Sequence, residues 1–249
     1  MSLDHNSDEA HRVPALIFRT QMPISPDHAQ SSIRPAIARG LPFAIYIAFL
    51  AGGDWLAAHL PDPRWVYALQ VGAVLIALLY FAREYSELRF AVKSTPVWWM
   101  AAIGAGVAVF VLWIHLDVRW LSFGLTGGFD PRLADGTIDW PLAVVRLCGA
   151  AVVVPIMEEL FWRSFIMRWI DRTDFLEQSP ATVSFKALII SSIVFGLEHQ
   201  LWFAGFLAGL AYGWLYMRTG NLWLPIAAHA VTNLVLGIWV LRTGNWQFW

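Results

Sequence analysis

The chain has 249 residues, of which 58% are hydrophobic and 14% are charged, with a formal net charge of −1. Soluble domains are typically about 45–50% apolar and about 25% charged, so this composition excludes an ordinary soluble domain and indicates a membrane protein. The net charge says nothing about a partner, and no basic face suggests nucleic acid. The first partner that the composition indicates is therefore the lipid bilayer.

The first forty residues differ from the rest of the chain. Residues 1–40 are polar, contain proline and carry charges of both signs. Their apolar stretch at 13–18 is too short for the core of a signal peptide, and the acidic residues argue against a transit peptide. We therefore predict a mobile cytoplasmic tail at 1–40, followed by a single transmembrane domain at 41–249.

Hydrophobic segments long enough to cross a bilayer fill the transmembrane domain. A spanning helix needs roughly 20 apolar residues, with about 17–25 observed. Seven segments come close to this length and predict an all-α, polytopic transmembrane helical bundle. The predicted spans are 41–60, 65–81, 97–116, 141–162, 181–199, 204–217 and 222–241.

Basic residues in the connections predict the orientation, because cytoplasmic loops carry an excess of Lys and Arg. With the amino terminus inside, the inner connections hold Arg83, Arg89, Lys93, Arg168, Arg172, Lys186 and Arg218. The outer stretches hold only Arg64, Arg119, Arg132 and Arg242. The sequence thus predicts a multi-pass membrane protein with a cytoplasmic amino terminus.

An acidic pair lies within the fourth predicted span. Ionisable side chains at membrane depth cost about 2.5–3.5 kcal/mol each on insertion scales and usually mark a pathway or a reaction site. Glu158 and Glu159 point about 100° apart on a helix, so they cannot serve one purpose. Arg163 lies four residues after Glu159, where it can pair with that carboxylate. Glu158 lacks such a partner in its own helix and is the better candidate for a general base. Pro155 is expected to kink the helix beside it.

Three more polar residues lie at comparable depth in the last spans. With about 1.5 Å of rise per residue, Glu158, His199, His229 and Asn233 all lie roughly 6–20 Å from the inner surface. His229 and Asn233 also share one helical face. We therefore predict that these four side chains meet in a polar cavity open to the cytoplasmic side. Glu198 is predicted to point elsewhere.

Small residues recur every fourth position in the sixth predicted span, at Gly205, Gly209 and Gly213. This spacing lets two membrane helices approach closely. We predict that this helix packs tightly against a neighbour and holds it in place.

A carboxylate, two imidazoles and an amide suffice to hydrolyse an amide bond without a covalent intermediate. Glu158 can take a proton from water that one histidine positions, while the other histidine and Asn233 donate hydrogen bonds to the oxyanion. Two alternatives stay open. Two histidines and one or two carboxylates could bind zinc or iron in a membrane metallohydrolase, although no HExxH helix is present. The polar residues could also serve helix packing in a non-catalytic immunity or scaffold protein.

The ordered motifs resemble those of the intramembrane glutamic endopeptidases. That group includes the type II CAAX prenyl proteases and the bacterial CAAX protease and bacteriocin-processing (CPBP, or Abi) proteins. The motifs are Glu158-Glu159-x-x-x-Arg163, then Phe195-x-x-x-His199, then His229-x-x-x-Asn233. The stretch at 213–225 also resembles the family, and the likeness covers a core at about 141–241.

The resemblance implies specific roles and partners. It assigns Glu158 and His199 to the activation of water, and His229 and Asn233 to stabilisation of the oxyanion. Glu159, Arg163 and Phe195 are implied as supporting residues, and neither a metal nor another cofactor is implied. The expected substrate is a protein or peptide. The Trp-rich stretch at 139–175 further resembles CAAX protease-related proteins associated with exosortases, which implies a link to a bacterial protein-sorting system.

Overall fold

The computed structural model describes residues 26–89, 94–124 and 128–249. Within these ranges the chain is helical without strands, and the β-type pairing there is a single bridge between Arg132 and Ile138. This confirms the predicted all-α bundle. Seven main helices of the described chain correspond to the seven hydrophobic segments. They are α1 Pro26–Ala57, α2 Val66–Tyr80, α3 Pro96–His115, α4 Trp140–Trp169, α5 Phe185–Leu197, α6 Trp202–Thr219 and α7 Trp223–Thr243.

Capping residues set the ends of the helices that build the core. The Asp139 carboxylate accepts a hydrogen bond from the Leu142 N–H at the start of α4, and Ser184 accepts one from the Ala187 N–H at the start of α5. Side-chain oxygens at this position satisfy N–H groups that have no partner within the helix. Gly220 and Gly244 end α6 and α7 with φ of 64° and 71°, a conformation that favours glycine.

Five helical stretches of the described chain are long and apolar enough to cross a bilayer: 33–57, 63–80, 96–115, 140–169 and 223–243. The other two predicted spans, α5 and α6, are helices that do not meet both the length and the apolar requirement. α5 has 13 residues, which gives about 20 Å of length, less than the roughly 30 Å hydrocarbon core. α6 has 18 residues but interrupts its apolar character with glycines and Arg218. The chain is a multi-pass membrane protein.

The first helix is longer than predicted. α1 begins at Pro26 rather than near residue 41, so residues 26–40 are helical and do not belong to a tail. Arg39, which the sequence assigned to the mobile tail, is only 1% exposed because it takes part in a buried ionic cluster. The predicted tail at 1–25 lies outside the described residues.

α4 and α7 form the centre of the bundle. In the most apolar 18-residue stretch of α4, 44% of the residues are buried, and in that of α7, 50% are buried. The corresponding share is 17% in α1 and in α3. α7 packs against α3, α5 against α6 and α1 against α2, while α4 contacts α1, α2 and α7. Glu158, His229 and Asn233 therefore lie on helices that are more enclosed than α1 and α3.

The glycine stripe of α6 faces α5, as predicted. A Cβ atom on Gly209 would lie 2.9 Å from the Ser192 Cα atom, and one on Gly205 would lie 3.1 Å from the Gly196 Cα atom and 3.3 Å from His199 Nδ1. No side chain larger than hydrogen fits there without movement of the α5 backbone. The glycines thus hold the end of α5, and with it His199, against α6.

A buried ionic cluster lies at the end of the bundle that carries the helix Ser86–Arg89. We call Arg39, Glu87, Ser164 and Arg168 the Glu87 cluster. Glu87 forms ion pairs with Arg39 at 2.5 Å and with Arg168 at 2.9 Å, and it accepts a hydrogen bond from the Ser164 hydroxyl. Burial acts to raise the pKa of Glu87, but the charge of Arg39 and its hydrogen bonds outweigh burial and lower it. The cluster joins α1 and α4 at this end.

Candidate active site

Two wide helical turns flank the acidic pair in α4. The segments Gly149–Val153 and Leu160–Ile166 are π-helical, and the α-helical segment Val154–Glu159 lies between them. Each π turn holds more residues than an α turn and shifts the side chains that follow around the axis. Pro155 lies in the first turn of the middle segment. The sequence predicted a kink of the helix near Pro155, and the distortion found there consists of π turns.

Glu159 is the centre of a buried ionic network. Its Oε2 atom is 3.1 Å from Arg163 Nε, which confirms the predicted ion pair. The two groups are not aligned for a hydrogen bond. Its other oxygen is 2.9 Å from His229 Nδ1. The Arg163 guanidinium also stacks 4.3 Å from the centroid of Phe195. Glu159 therefore orients His229, and Arg163 balances its charge.

Glu158 faces the cavity instead of this network. Its side chain is buried, and its Oε2 atom has no hydrogen-bond partner among the described residues. His229 Nε2 lies 3.9 Å from that oxygen, too far for a hydrogen bond. Glu158 thus retains free acceptor capacity next to an imidazole, as a residue that accepts a proton from water requires.

His199 has a defined tautomer in its neutral form. Its Nδ1 atom is 2.7 Å from the carbonyl oxygen of Phe195, which can only accept, so Nδ1 carries the proton. The free Nε2 atom is then an acceptor. Trp113 packs edge-on against the imidazole, with ring centroids 5.3 Å apart. His199 is therefore fixed with a lone pair available for water.

Glu198 lies at the site, contrary to the prediction that it points elsewhere. The Trp162 indole donates a hydrogen bond of 3.0 Å to Glu198 Oε1. Ligand atoms of Glu158, Glu198 and His199 lie within 4.8 Å of one another. The prediction failed because α5 ends at Leu197, so helical spacing does not apply to the residues that follow. This carboxylate–imidazole group could accept protons or hold a metal ion.

Asn233 contacts the backbone of α4. Its Nδ2 atom donates a hydrogen bond of 2.8 Å to the carbonyl oxygen of Ala150, within the first π segment. A primary amide has two N–H groups, so one remains available to another acceptor. Asn233 lines the same cavity as Glu158, and part of its hydrogen-bonding capacity serves the fold.

One cavity of about 160 Å³ joins the four predicted residues, since Glu158, His199, His229 and Asn233 all line it. The lining continues through Trp113 and Arg146 to Tyr67, Phe248 and Trp249 at the far end of the bundle. That end carries the carboxyl terminus, opposite the Glu87 cluster. The opening of the cavity toward the cytoplasmic side stays a prediction.

Two aromatic residues of the site were not predicted. Tyr212 stacks on the His229 imidazole with ring centroids 5.1 Å apart, and its hydroxyl is 2.7 Å from Thr232 Oγ1. Trp162 holds Glu198. Aromatic residues abound in this chain, and nothing in their spacing separates these two from the rest. Only the tertiary contacts identify them.

The matched region of the family comparison coincides with this site. Residues 140–235 match the family described as type II CAAX prenyl endopeptidase Rce1-like. The matched residues are 96 of the 249 in the chain, and the likeness is to that region alone. The match begins with α4, ends in α7 and contains all three motifs, which confirms the resemblance to the CPBP family. The narrower likeness to exosortase-associated proteins stays a prediction.

A curated relative points in the same direction. The Bacillus subtilis (strain 168) protein named "Putative membrane peptidase YdiL" is 29% identical over 149 residues, which are 57% of this chain and 56% of that protein. The chain therefore spans little more than half of that relative's length. No solved structure matches the chain. Both matches are thus to proteins described as peptidases.

Proposed function

We propose that the protein is an intramembrane, glutamate-dependent endopeptidase that hydrolyses a peptide bond of a protein or peptide substrate. The observation that carries this proposal is that Glu158, His199, His229 and Asn233 line one cavity. The match of residues 140–235 to the Rce1-like family supports the same reaction class. The protein is proposed to act in a bacterial inner membrane, with its amino terminus in the cytoplasm.

In the proposed first step, Glu158 accepts a proton from a water molecule. His199 orients that water through Nε2, the nitrogen left free by the bond between Nδ1 and the Phe195 carbonyl. The resulting hydroxide attacks the carbonyl carbon of the scissile bond. Proton abstraction by a positioned side chain contributes typically about 10²–10⁴-fold to a rate.

The oxyanion is proposed to lie between His229 and Asn233. Because Glu159 accepts from His229 Nδ1, a neutral His229 would present a lone pair at Nε2, whereas the imidazolium form would present a proton. The imidazolium charge would balance the two carboxylates together with Arg163. The free N–H of Asn233 is the second donor. When the tetrahedral intermediate collapses, the C–N bond breaks and Glu158 returns its proton to the leaving amine.

The proposal is tested with purified protein in liposomes and a mixture of peptides, with products identified by mass spectrometry. Glu158→Gln is expected to lower the rate by about 10²–10⁴-fold while the unfolding temperature changes little. Glu177→Gln removes an exposed glutamate outside the cavity and serves as the matched control. Full activity of the Glu158→Gln variant would contradict the proposed role of this residue.

A membrane metallohydrolase is the second candidate, because Glu158, Glu198 and His199 bring three ligand atoms within 4.8 Å of one another. These donors suit zinc, which binds nitrogen and carboxylate oxygen. If this alternative holds, purified active protein contains stoichiometric metal, chelation abolishes activity, and Glu198→Gln lowers both activity and metal content. The metal-independent proposal predicts full activity with chelator present.

A further inference from the structure

A second cavity meets the first one at Glu158 and His199. Its volume is about 110 Å³, and Glu158, His199 and Tyr46 line both cavities. Glu198 lines the second cavity but not the first. A polar cavity of this size has room for water. Glu198 is therefore placed beside the proposed base and the proposed water-orienting histidine, although the mechanism above gives it no role.

The distances among three side chains define a position for one water molecule. The ligand atoms of Glu158, Glu198 and His199 lie within 4.8 Å of one another. Three such points fit inside a circle whose radius is 4.8 Å divided by the square root of three, so one position lies within about 2.8 Å of all three atoms. Hydrogen bonds of water to side-chain oxygen and nitrogen have this length. A water molecule at that position contacts all three side chains at once.

Each of the three side chains has hydrogen-bonding capacity for this water. Glu158 Oε2 is buried and has no partner among the described residues. His199 keeps a lone pair on Nε2, because its Nδ1 atom donates to the Phe195 carbonyl. Glu198 accepts the Trp162 indole N–H at Oε1, which leaves Oε2 available. Buried polar atoms rarely lack partners in native structures, so the unpaired oxygen of Glu158 itself indicates a ligand at this point.

The number of protons decides what Glu198 contributes. A water molecule has two protons to donate, and ionised Glu158 and neutral His199 accept both of them. A third acceptor would find no proton, whereas a carboxylic acid can donate its own proton to a lone pair of the water. Among the described residues no cation forms an ion pair with Glu198, in contrast to Glu159, which is paired with Arg163. Hydrogen-bond counting therefore makes Glu198 the donor of the three.

We propose that Glu198 is a catalytic residue that donates a hydrogen bond to the attacking water and holds it between Glu158 and His199. This inference rests on the proposed function and adds a third ligand of the water to it. When Glu158 takes a proton, one O–H bond of the water breaks and its electron pair stays on the oxygen. The hydrogen bond from Glu198 becomes stronger as this oxygen gains charge, and Glu198 keeps its proton throughout the step.

The competing explanation is that Glu198 only anchors Trp162 through the indole hydrogen bond. Glu198→Leu removes both the bond to the indole and the proposed bond to the water. Glu198→Gln keeps both, because an amide has an oxygen for the indole and an N–H group for the water. Trp162→Phe removes the indole donor and leaves Glu198 in place. The three variants together separate the two roles.

The experiment measures peptide cleavage per folded molecule in liposomes, with kcat and KM determined separately. Glu198→Leu should lower kcat at least tenfold with little change in KM, because the lost hydrogen bond concerns the water and not the peptide. Glu198→Gln should stay within about threefold of the wild-type rate, since it still donates. Trp162→Phe should lose much less than Glu198→Leu. Glu177→Leu changes an exposed glutamate outside both cavities and is the matched control.

Three results would overturn the proposal. Equal losses in Glu198→Leu and Trp162→Phe would assign Glu198 to packing alone. A Glu198→Gln variant as slow as Glu198→Leu would show that a donor at this position is not sufficient. Stoichiometric metal in the active protein, with contacts of about 2.0–2.2 Å to these side chains, would replace the water ligand by a metal ligand.

Direct observation of the water separates this inference from the proposed function. A crystal structure that shows ordered water should contain one within about 2.8 Å of all three side chains in the wild type and in Glu198→Gln, but not in Glu198→Leu. This water in a protein that cleaves no peptide would contradict the peptidase and confirm the contacts of Glu198. Cleavage that depends on Glu158 but not on Glu198 would support the peptidase and overturn the inference.

Discussion

α4 carries two buried groups of charges that differ in how completely they are paired. In the Glu87 cluster, the carboxylate is shared between Arg39 and Arg168 and accepts the Ser164 hydroxyl. At the candidate active site, Glu158 Oε2 and both terminal nitrogens of Arg163 lack hydrogen-bond partners among the described residues. Buried charge is costly unless it is paired. The fully paired group therefore holds helices together, while the incompletely paired group lies at a cavity where water and substrate complete it.

Glu159 belongs to the active site but is paired like Glu87, so its replacement should have the largest effect. Glu159→Gln removes the partner of both Arg163 and His229, and removal of one partner from a buried pair costs about 3–5 kcal/mol. We expect a lower free energy of unfolding and, because His229 loses its orientation, lower activity per folded molecule. Denaturant unfolding and peptide cleavage measure the two effects. A stable, fully active variant would show that the Glu159 network is dispensable.

Glu87→Gln should affect stability alone. The change leaves Arg39 and Arg168 buried with a neutral partner, so we expect a loss of a few kcal/mol in the free energy of unfolding. Activity per folded molecule should remain near that of the wild type, because the Glu87 cluster does not line the cavity. Glu177→Gln is the exposed control and should change neither quantity. A catalytic defect in folded Glu87→Gln protein would contradict the division between the two groups.

The α5–α6 contact gives an effect of intermediate size. In Gly209→Ala the new methyl group meets the Ser192 backbone at about 2.9 Å. Overpacking of this kind costs typically about 1–3 kcal/mol. Gly104→Ala is the matched control, since nothing lies within 4 Å of a Cβ atom there, and it should be neutral or slightly stabilising. Equal thermal stability of the two variants would show that the close approach is not required.

The smallest expected effect is on the pH dependence of stability. Because the pKa of Glu87 is lowered in the folded protein, its contribution is complete above the unfolded-state value of about 4.3 and is lost as pH falls toward the lowered folded value. The wild type should therefore lose more stability than Glu87→Gln as pH decreases through this range. Thermal unfolding at a series of pH values measures the difference. Parallel curves for the two proteins would argue against an ionised Glu87 in the cluster.

Local spacing predicted the parts of the site that depend on one helix. The Glu159–Arg163 pair follows from a separation of four residues, and the glycine stripe follows from the same repeat. The hydrophobic segments predicted the helices, because helix length and apolar character are local properties. Residues 26–40 were misassigned since polar residues such as Arg39 can continue a helix when a distant partner neutralises them.

Contacts between distant residues could not be predicted. Glu87 and Arg168 are 81 residues apart, and no sequence pattern links them. The position of Glu198 depends on where α5 ends.

The most direct test compares Glu158→Gln with Glu87→Gln in one preparation series, with peptide cleavage per folded molecule and the free energy of unfolding measured for both. The predicted result is opposite behaviour. Glu158→Gln should lose about 10²–10⁴-fold in rate and keep its stability, whereas Glu87→Gln should lose stability and keep its rate. Cleavage at the wild-type rate by folded Glu158→Gln protein would contradict the account.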